Sequence, residues 1–185
     1  NTFADLGIET VMSPYIYADE NGYCGTAKER AESLMKFYED DSVEVIFDIS
    51  GGDLANEILH LLDYKVIKNS EKLFWGYSDL TTVINAIYAK TGKPSVLYRV
   101  RNLVYKDCEE QMKRFAKTVN HDSKELYDIN YTFLQGKELS GVVVGGNIRC
   151  LLKLAGTEYW PDLQGKILLL ESYSGNVARM AAYLS

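Results

Sequence analysis

Apolar residues fall along the chain in two patterns: short, nearly continuous runs that suit strands, and runs at 3.6-residue spacing that suit helices. Asp5 to Val11 reads as a short strand with its approach, followed by a polar loop rich in Tyr and Gly through Gly25. Thr26 and Glu29 have capping-box spacing, and Ala31, Leu34, Met35 and Tyr38 put one apolar stripe on the helix that follows. Val43 to Ile49 is the next strand, apolar enough for a sheet covered on both faces. Ser50, Gly51 and Gly52 end it, and Leu54, Ile58, Leu61 and Leu62 recur as a helix face. After a crossing segment, Asp63 to Lys72, Phe74 and Trp75 close another apolar run and Gly76 supplies a permissive turn. Leu80, Val83, Ile84, Ile87 and Tyr88 then recur at helical spacing until T-G-K-P at 91–94, ahead of a strand at 95–98.

The pattern changes at Arg99. One polar helix, about Asp107 to Val119, is followed by N-H-D-S-K and little periodicity, which reads as a connector. Val142 to Val144 is a short buried strand, and Gly145-Gly146-Asn147 reads as a turn into a helix carrying Ile148, Leu151, Leu152 and Ala155. Residues 156–165 form a long ordered loop, and Lys166 to Glu171 a buried strand ending in a carboxylate. Val177, Met180, Ala181 and Leu184 open a final amphipathic helix. This alternation predicts an α/β fold: a layered, mainly parallel sheet in an N-terminal domain (1–98), a connector (99–138), and part of a second α/β domain (139–185).

Composition narrows the classes. With 46% hydrophobic and 25% charged residues, the 185-residue chain has the makeup of a soluble globular protein, and a formal charge of -6 argues against a nucleic-acid surface. Three widely separated cysteines imply neither a disulfide scaffold nor a zinc knuckle, so a reducing compartment is expected. No stretch reaches the ~20 apolar residues of a membrane helix. A cytoplasmic protein without a membrane partner is the expectation. Uncovered strand edges favour self-association, such as a homodimer, or an absent companion segment.

Chemistry concentrates at F-W-G-Y-S-D, residues 74–79. Ser78 sits at a strand-to-helix turn, where an α/β hydrolase presents a serine nucleophile while the first helical amides face a developing oxyanion. The competing reading is that Ser78 caps the helix, with Asp79 suiting the helix dipole. The second glycine of a G-x-S-x-G elbow is missing, with Leu80 in its place. The Gly51-Gly52 loop could serve as a turn or offer one amide to an anion beside Ser78. Glu171, at a strand end, is a site candidate or simply exposed. His60 reads as a helix-surface or packing histidine and His121 as a loop residue.

Three separated motifs in order carry a resemblance over nearly the whole chain. They are the G-G…I-L-x-x-L-D-Y run at 51–64, G-Y-S-D-L-T at 76–81, and G-G-N with A-G-T-x-Y-x-P-D-L-x-G-K-I-L-L-L-E between Gly145 and Glu171. The chain resembles the LD-carboxypeptidase family of serine peptidases, which includes the microcin C immunity peptidases. The resemblance implies that Ser78 is the nucleophile, that Glu171 orients a histidine, and that the backbone amides of Gly52 and Asp79 hold the oxyanion. It implies no metal or other cofactor. It implies a peptide substrate: a cytoplasmic murein tetrapeptide cut at an L,D bond or, in the immunity branch, a peptidyl-nucleotide antibiotic. Of the cations that could bind a substrate carboxylate, Arg149 is preferred over Arg99 and Arg101, against a reading as a solvated charge.

The family histidine lies beyond Ser185, and the family usually begins with one strand more than is seen here. The chain as given is therefore expected to be inactive or impaired, as an incomplete portion of a peptidase or a shortened relative retained for binding. A non-catalytic α/β ligand-binding protein, with the glycine loops as an anion or peptide cradle, is the alternative from another class.

Overall fold

The computed structural model describes residues 2–20, 22–121, 123–173 and 175–185, and the side chain of His121 lies outside the described residues. In chain order the helices are α1 (Thr2–Asp5), α2 (Ala27–Glu39), α3 (Tyr64–Asn69), α4 (Thr81–Thr91), α5 (Glu109–His121), α6 (Ile148–Leu152) and α7 (Val177–Leu184). The strands are β1 (Val45–Phe47), β2 (Leu73–Gly76), β3 (Val96–Leu97), β4 (Val143–Asn147) and β5 (Ile167–Glu171). Short 3-10 segments cover Ala55–Leu61, Ser78–Leu80, Val100–Val104 and Glu125–Tyr127. The chain divides into two compact units, Asn1–Val11 with Val100–Ser140, and Met12–Arg99 with Gly141–Ser185.

The smaller unit is helical. The expected strand at 5–11 is absent, because α1 occupies its approach and Gly7, at φ +73, closes that helix with its N–H on the Ala4 carbonyl. Phe3 anchors the segment instead, its ring 6.2 Å from that of the fully buried Phe115 on α5. His121 is the last residue of α5 rather than part of a loop.

The larger unit is the α/β body. The order β1-β2-β3 is parallel throughout, with Phe47 opposite Trp75 and Trp75 opposite Val96, and β4 and β5 form a second parallel pair. The capping box forms as read: the Glu29 N–H donates to Thr26 Oγ1, and the Thr26 N–H donates to Glu29 Oε2. Ala31, Leu34 and Tyr38 of α2 are buried with Ile46, Ile58, Leu59, Ile67, Phe74, Leu80, Val83 and Ile87 in one cluster.

The C-terminal end of α2 is closed by a cation from elsewhere. Lys72 Nζ donates to the carbonyls of Phe37 (3.0 Å), Tyr38 (2.7 Å) and Asp40 (2.6 Å), where the helix dipole favours positive charge. Lys72→Met removes all three donors and keeps the stem, and is expected to cost about 1.5–3 kcal/mol in urea unfolding, the range for bonds to a charged group. An unchanged midpoint would show that water replaces the ammonium without loss.

Four expectations for the larger unit are corrected. The segment after the double glycine is a 3-10 helix, with Ala55, Ile58, Leu59 and Leu62 buried while Leu54 and Leu61 stay 40% exposed. Gly145, Gly146 and Asn147 are not a turn: they pair with Leu169, Leu170 and Glu171 and belong to β4. Neither β5 nor the approach to and start of β4 is buried, since Leu168 and Leu169 are 46% and 42% exposed and Val142 and Val143 46% and 56%, because β4 and β5 pair only with each other among the described residues.

Candidate functional site

Ser78 follows directly on β2 and Tyr77 and opens the 3-10 turn that runs into α4. Its φ is +60, one of two non-glycine residues in the left-handed region among the described residues. A β-carbon in that region is strained, and such strain is kept where the surroundings over-determine it. Neither the turn nor α4 has a side-chain cap, and no described residue hydrogen-bonds the Ser78 hydroxyl, so Ser78 is not the helix cap. Gly76 is required for packing: a β-carbon there would lie 2.8 Å from Leu80 Cβ and 3.0 Å from a Phe74 ring carbon. The permissive residue thus precedes the serine, and the strained position is the serine itself.

Asp79 is fully buried, and its carboxylate is structural. Oδ2 accepts from the Ala55 N–H (2.8 Å) and Oδ1 from Lys153 Nζ (2.5 Å). Burial, with the negative charge of Asp79, pushes the Cys150 thiol up to about 11, so it stays protonated and unreactive at neutral pH. Gly52 lies in an open loop at φ +98, with no atom within 4 Å of where a β-carbon would stand. No hydrogen bond runs from the Gly52 or Asp79 amide to another described residue.

Residues that sequence reasoning passed over hold α4 against β4. Asn85 Nδ2 donates to the carbonyls of Thr81 (2.7 Å) and Gly145 (2.8 Å), and its Oδ1 accepts from the Gly145 N–H (2.9 Å). Thr81 Oγ1 accepts from the Asn147 N–H (3.0 Å), and all these residues are buried. Their signal was present, since a Thr and an Asn four apart on the inner face of an apolar helix demand partners. Because Asn147 pairs with Glu171 in register, the same bonds tie the end of β5 to the helix that starts at the serine turn.

Glu171 ends β5, and its Oε1 is buried with no hydrogen-bond partner among the described residues. A buried carboxylate oxygen without a donor is costly, so it marks a place where a donor is wanted. Arg149, on α6, is ion-paired with Asp53, which holds the Asp53 carboxyl below the usual carboxylate range. The guanidinium of Arg99 instead lies 5.7 Å from the Tyr77 ring centroid, beside the serine turn. His60 is exposed at the end of its 3-10 segment. Among the described residues no group of three or more His, Cys, Asp or Glu could hold a metal, and no helix is long and apolar enough to cross a membrane.

Asp48 follows β1, its N–H on the Trp75 carbonyl and its Oδ1 accepting from the Ser50 N–H (2.8 Å). Burial pushes its carboxyl above the usual range, outweighing the lowering by Ser50 and Arg30. Its contribution to stability is therefore present below the unfolded value of about 3.9 and lost as pH rises through the raised folded value. Asp48→Asn, which keeps the acceptor for Ser50, is expected to raise the melting temperature at pH 7 and to lose that advantage below about pH 4. Melting curves across pH check this, and an advantage independent of pH would contradict it.

Fold and site together define a class: a parallel α/β protein with an uncapped, strained serine at a strand-to-helix turn. Within that class, the chain belongs to the LD-carboxypeptidase family, for residues 1–98 match the LD-carboxypeptidase N-terminal domain and residues 140–185 the LD-carboxypeptidase C-terminal domain. It is 29% identical over 194 residues to the microcin C7 self-immunity protein of Escherichia coli, covering 87% of this chain and 56% of that one. It is 27% identical over 173 residues to a Bacillus subtilis protein named as a murein peptide carboxypeptidase, covering 90% of this chain and 54% of that one. The fold matches that of an MccF-like protein from Bacillus anthracis with a TM-score of 0.79 at 27% identity, over 99% of this chain and 64% of the other. The chain thus spans a little over half the length of the curated relatives it matches.

Proposed function

We propose that the complete protein is a cytoplasmic serine peptidase of LD-carboxypeptidase type that hydrolyses an L,D amide bond in murein tetrapeptide through an acyl-enzyme. The observation that carries the reading is Ser78 at φ +60, in an uncapped turn with no bond to its hydroxyl from a described residue. Ser78 attacks the scissile carbonyl, and the Gly52 and Asp79 amides, which donate to no described residue, receive the oxyanion. The base is the histidine that the family resemblance puts beyond Ser185. Its imidazolium is stabilised by the carboxylate of Glu171, whose buried Oε1 has no other donor among the described residues. Arg149 remains the proposed partner of the substrate carboxylate, in exchange for Asp53.

The likeness to the microcin C7 self-immunity protein favours a second substrate, a peptidyl-nucleotide, for the same chemistry. Incubating the complete protein with an L,D tetrapeptide and with a peptidyl-nucleotide, and following products by mass, separates the two. Release of D-alanine from the tetrapeptide is expected. Cleavage of the peptidyl-nucleotide alone moves the protein to the immunity branch. If neither is cleaved and Ser78 cannot be acylated, a non-catalytic binding protein is the better reading.

A further inference from the structure

The loop that carries Gly52 is not held by packing. Residues 51–54 are exposed, and a β-carbon at either glycine would meet nothing within 4 Å. An oxyanion hole nevertheless needs its donors about 2.7–3.1 Å from one point, so something other than contact must set the spacing of this loop from the serine turn. The ammonium of Lys153, at the C-terminal end of α6, is bonded to both. It donates to Asp53 O (2.8 Å), one residue past Gly52, and to Asp79 Oδ1 (2.5 Å), one residue past Ser78. The other oxygen of the same carboxylate accepts from the Ala55 N–H, which closes a ring of polar ties from the glycine loop to the serine turn.

We propose that Lys153 is a positioning residue of the oxyanion hole: its ammonium fixes the distance between the Gly52 and Asp79 amides. The inference rests on the proposed nucleophile, Ser78. Lys153 touches no reacting atom in this scheme, and it acts through the carboxylate of Asp79 and the carbonyl of Asp53. Its side chain is largely shielded and its partner Asp79 is fully buried, so the bond is insulated from the screening that weakens surface pairs. A loss of this tie moves the amides without removing them, and therefore slows the chemical step more than it weakens substrate binding.

The test uses the complete protein and three variants: Ser78→Ala, Lys153→Met, and Lys153→Met combined with Asp79→Asn. Turnover of the forms that keep Ser78 is expressed per site that a fluorophosphonate labels to completion, so that unfolded protein does not count, and turnover of Ser78→Ala is expressed per mole of folded protein. Lys153→Met is expected to lower kcat about 10–100-fold, with KM changed less than about threefold. It is also expected to lower the melting temperature, since it strands a buried carboxylate. The double variant removes that charge while an Asn oxygen still accepts from Ala55, so its melting temperature should recover while kcat stays at least about 10-fold down. It also decides the matter if Lys153→Met alone does not fold. Wild-type turnover per site in Lys153→Met, or a rate that returns with stability in the double variant, would overturn the positioning role alone. Full turnover in Ser78→Ala would overturn the nucleophile, and this proposal with it.

Discussion

Ser78→Gly is expected to make the protein more stable and to remove the turnover proposed for the complete protein. A left-handed conformation costs a residue with a β-carbon about 1–2 kcal/mol, and glycine escapes that cost while losing about 0.5–1 kcal/mol of chain entropy. With Ser78 at φ +60, the net gain expected is about 0.5–1 kcal/mol, or a rise of roughly 1–4 °C in melting temperature for a chain of this size. Ser78→Ala keeps the β-carbon and the strain, so its stability should stay near that of the wild type. Both variants lose the hydroxyl, and hydrolysis by the complete protein should fall to the residual level left by binding and the amides, a loss of at least about 10³-fold. Glu171→Ala should leave more activity than either, because in the proposed mechanism it removes a group that orients the base rather than the one that attacks. Paired thermal melts and product assays check the pattern. If Ser78→Gly loses stability and activity together, the turn is held by the serine side chain and the strain has another cause.

The same strain explains how much of the site could be read from the sequence. The strand before Ser78 and the helix after it were legible, because Phe74, Trp75, Leu80, Val83 and Ile87 are buried at the periods that burial imposes. The capping box at Thr26 and Glu29, and the helix end at Gly92 with φ +74, were legible as local chemistry. What the window 74–88 could not show was the sign of φ at residue 78, on which the choice between cap and nucleophile turns. Lys153, Asn85 and Thr81 were missed for another reason. Their partners, Asp79, Gly145 and Asn147, lie 60 to 74 residues away along the chain, and no local period encodes such a pairing. The strand expected at 5–11 failed because a short apolar run fits strand and helix alike, and Phe3 found a partner on α5.

Gly145 is where that long-range information is densest, and replacing it should be the most damaging single change in the larger unit. The residue is at φ +110 in β4, and a β-carbon there would fall on the carbonyl oxygen of Leu169 in the paired strand. Its own N–H and carbonyl are both bonded to the side chain of the buried Asn85, so β4 cannot move away from β5 without breaking those bonds. Three costs add in Gly145→Ala: backbone strain of about 1–3 kcal/mol, a displaced ladder, and buried polar groups on Asn85 left without partners at about 1–3 kcal/mol. A total above about 4 kcal/mol is expected, enough to unfold a marginally stable protein. Gly146→Ala should be nearly as costly, since its β-carbon would stand 2.7 Å from Thr81 Oγ1, the acceptor for the Asn147 amide. The double glycine at 51–52 is the contrast. Gly51 has open space and no left-handed φ, so Gly51→Ala should change stability by less than about 0.5 kcal/mol, whereas Gly52→Ala should lose about 1–2 kcal/mol from its φ alone. Urea unfolding of the four variants ranks them. If Gly145→Ala ranks with Gly51→Ala, then β4 and β5 do not approach as closely as Leu169 requires, and the tie from the serine turn to Glu171 through Asn85 and Thr81 fails with it.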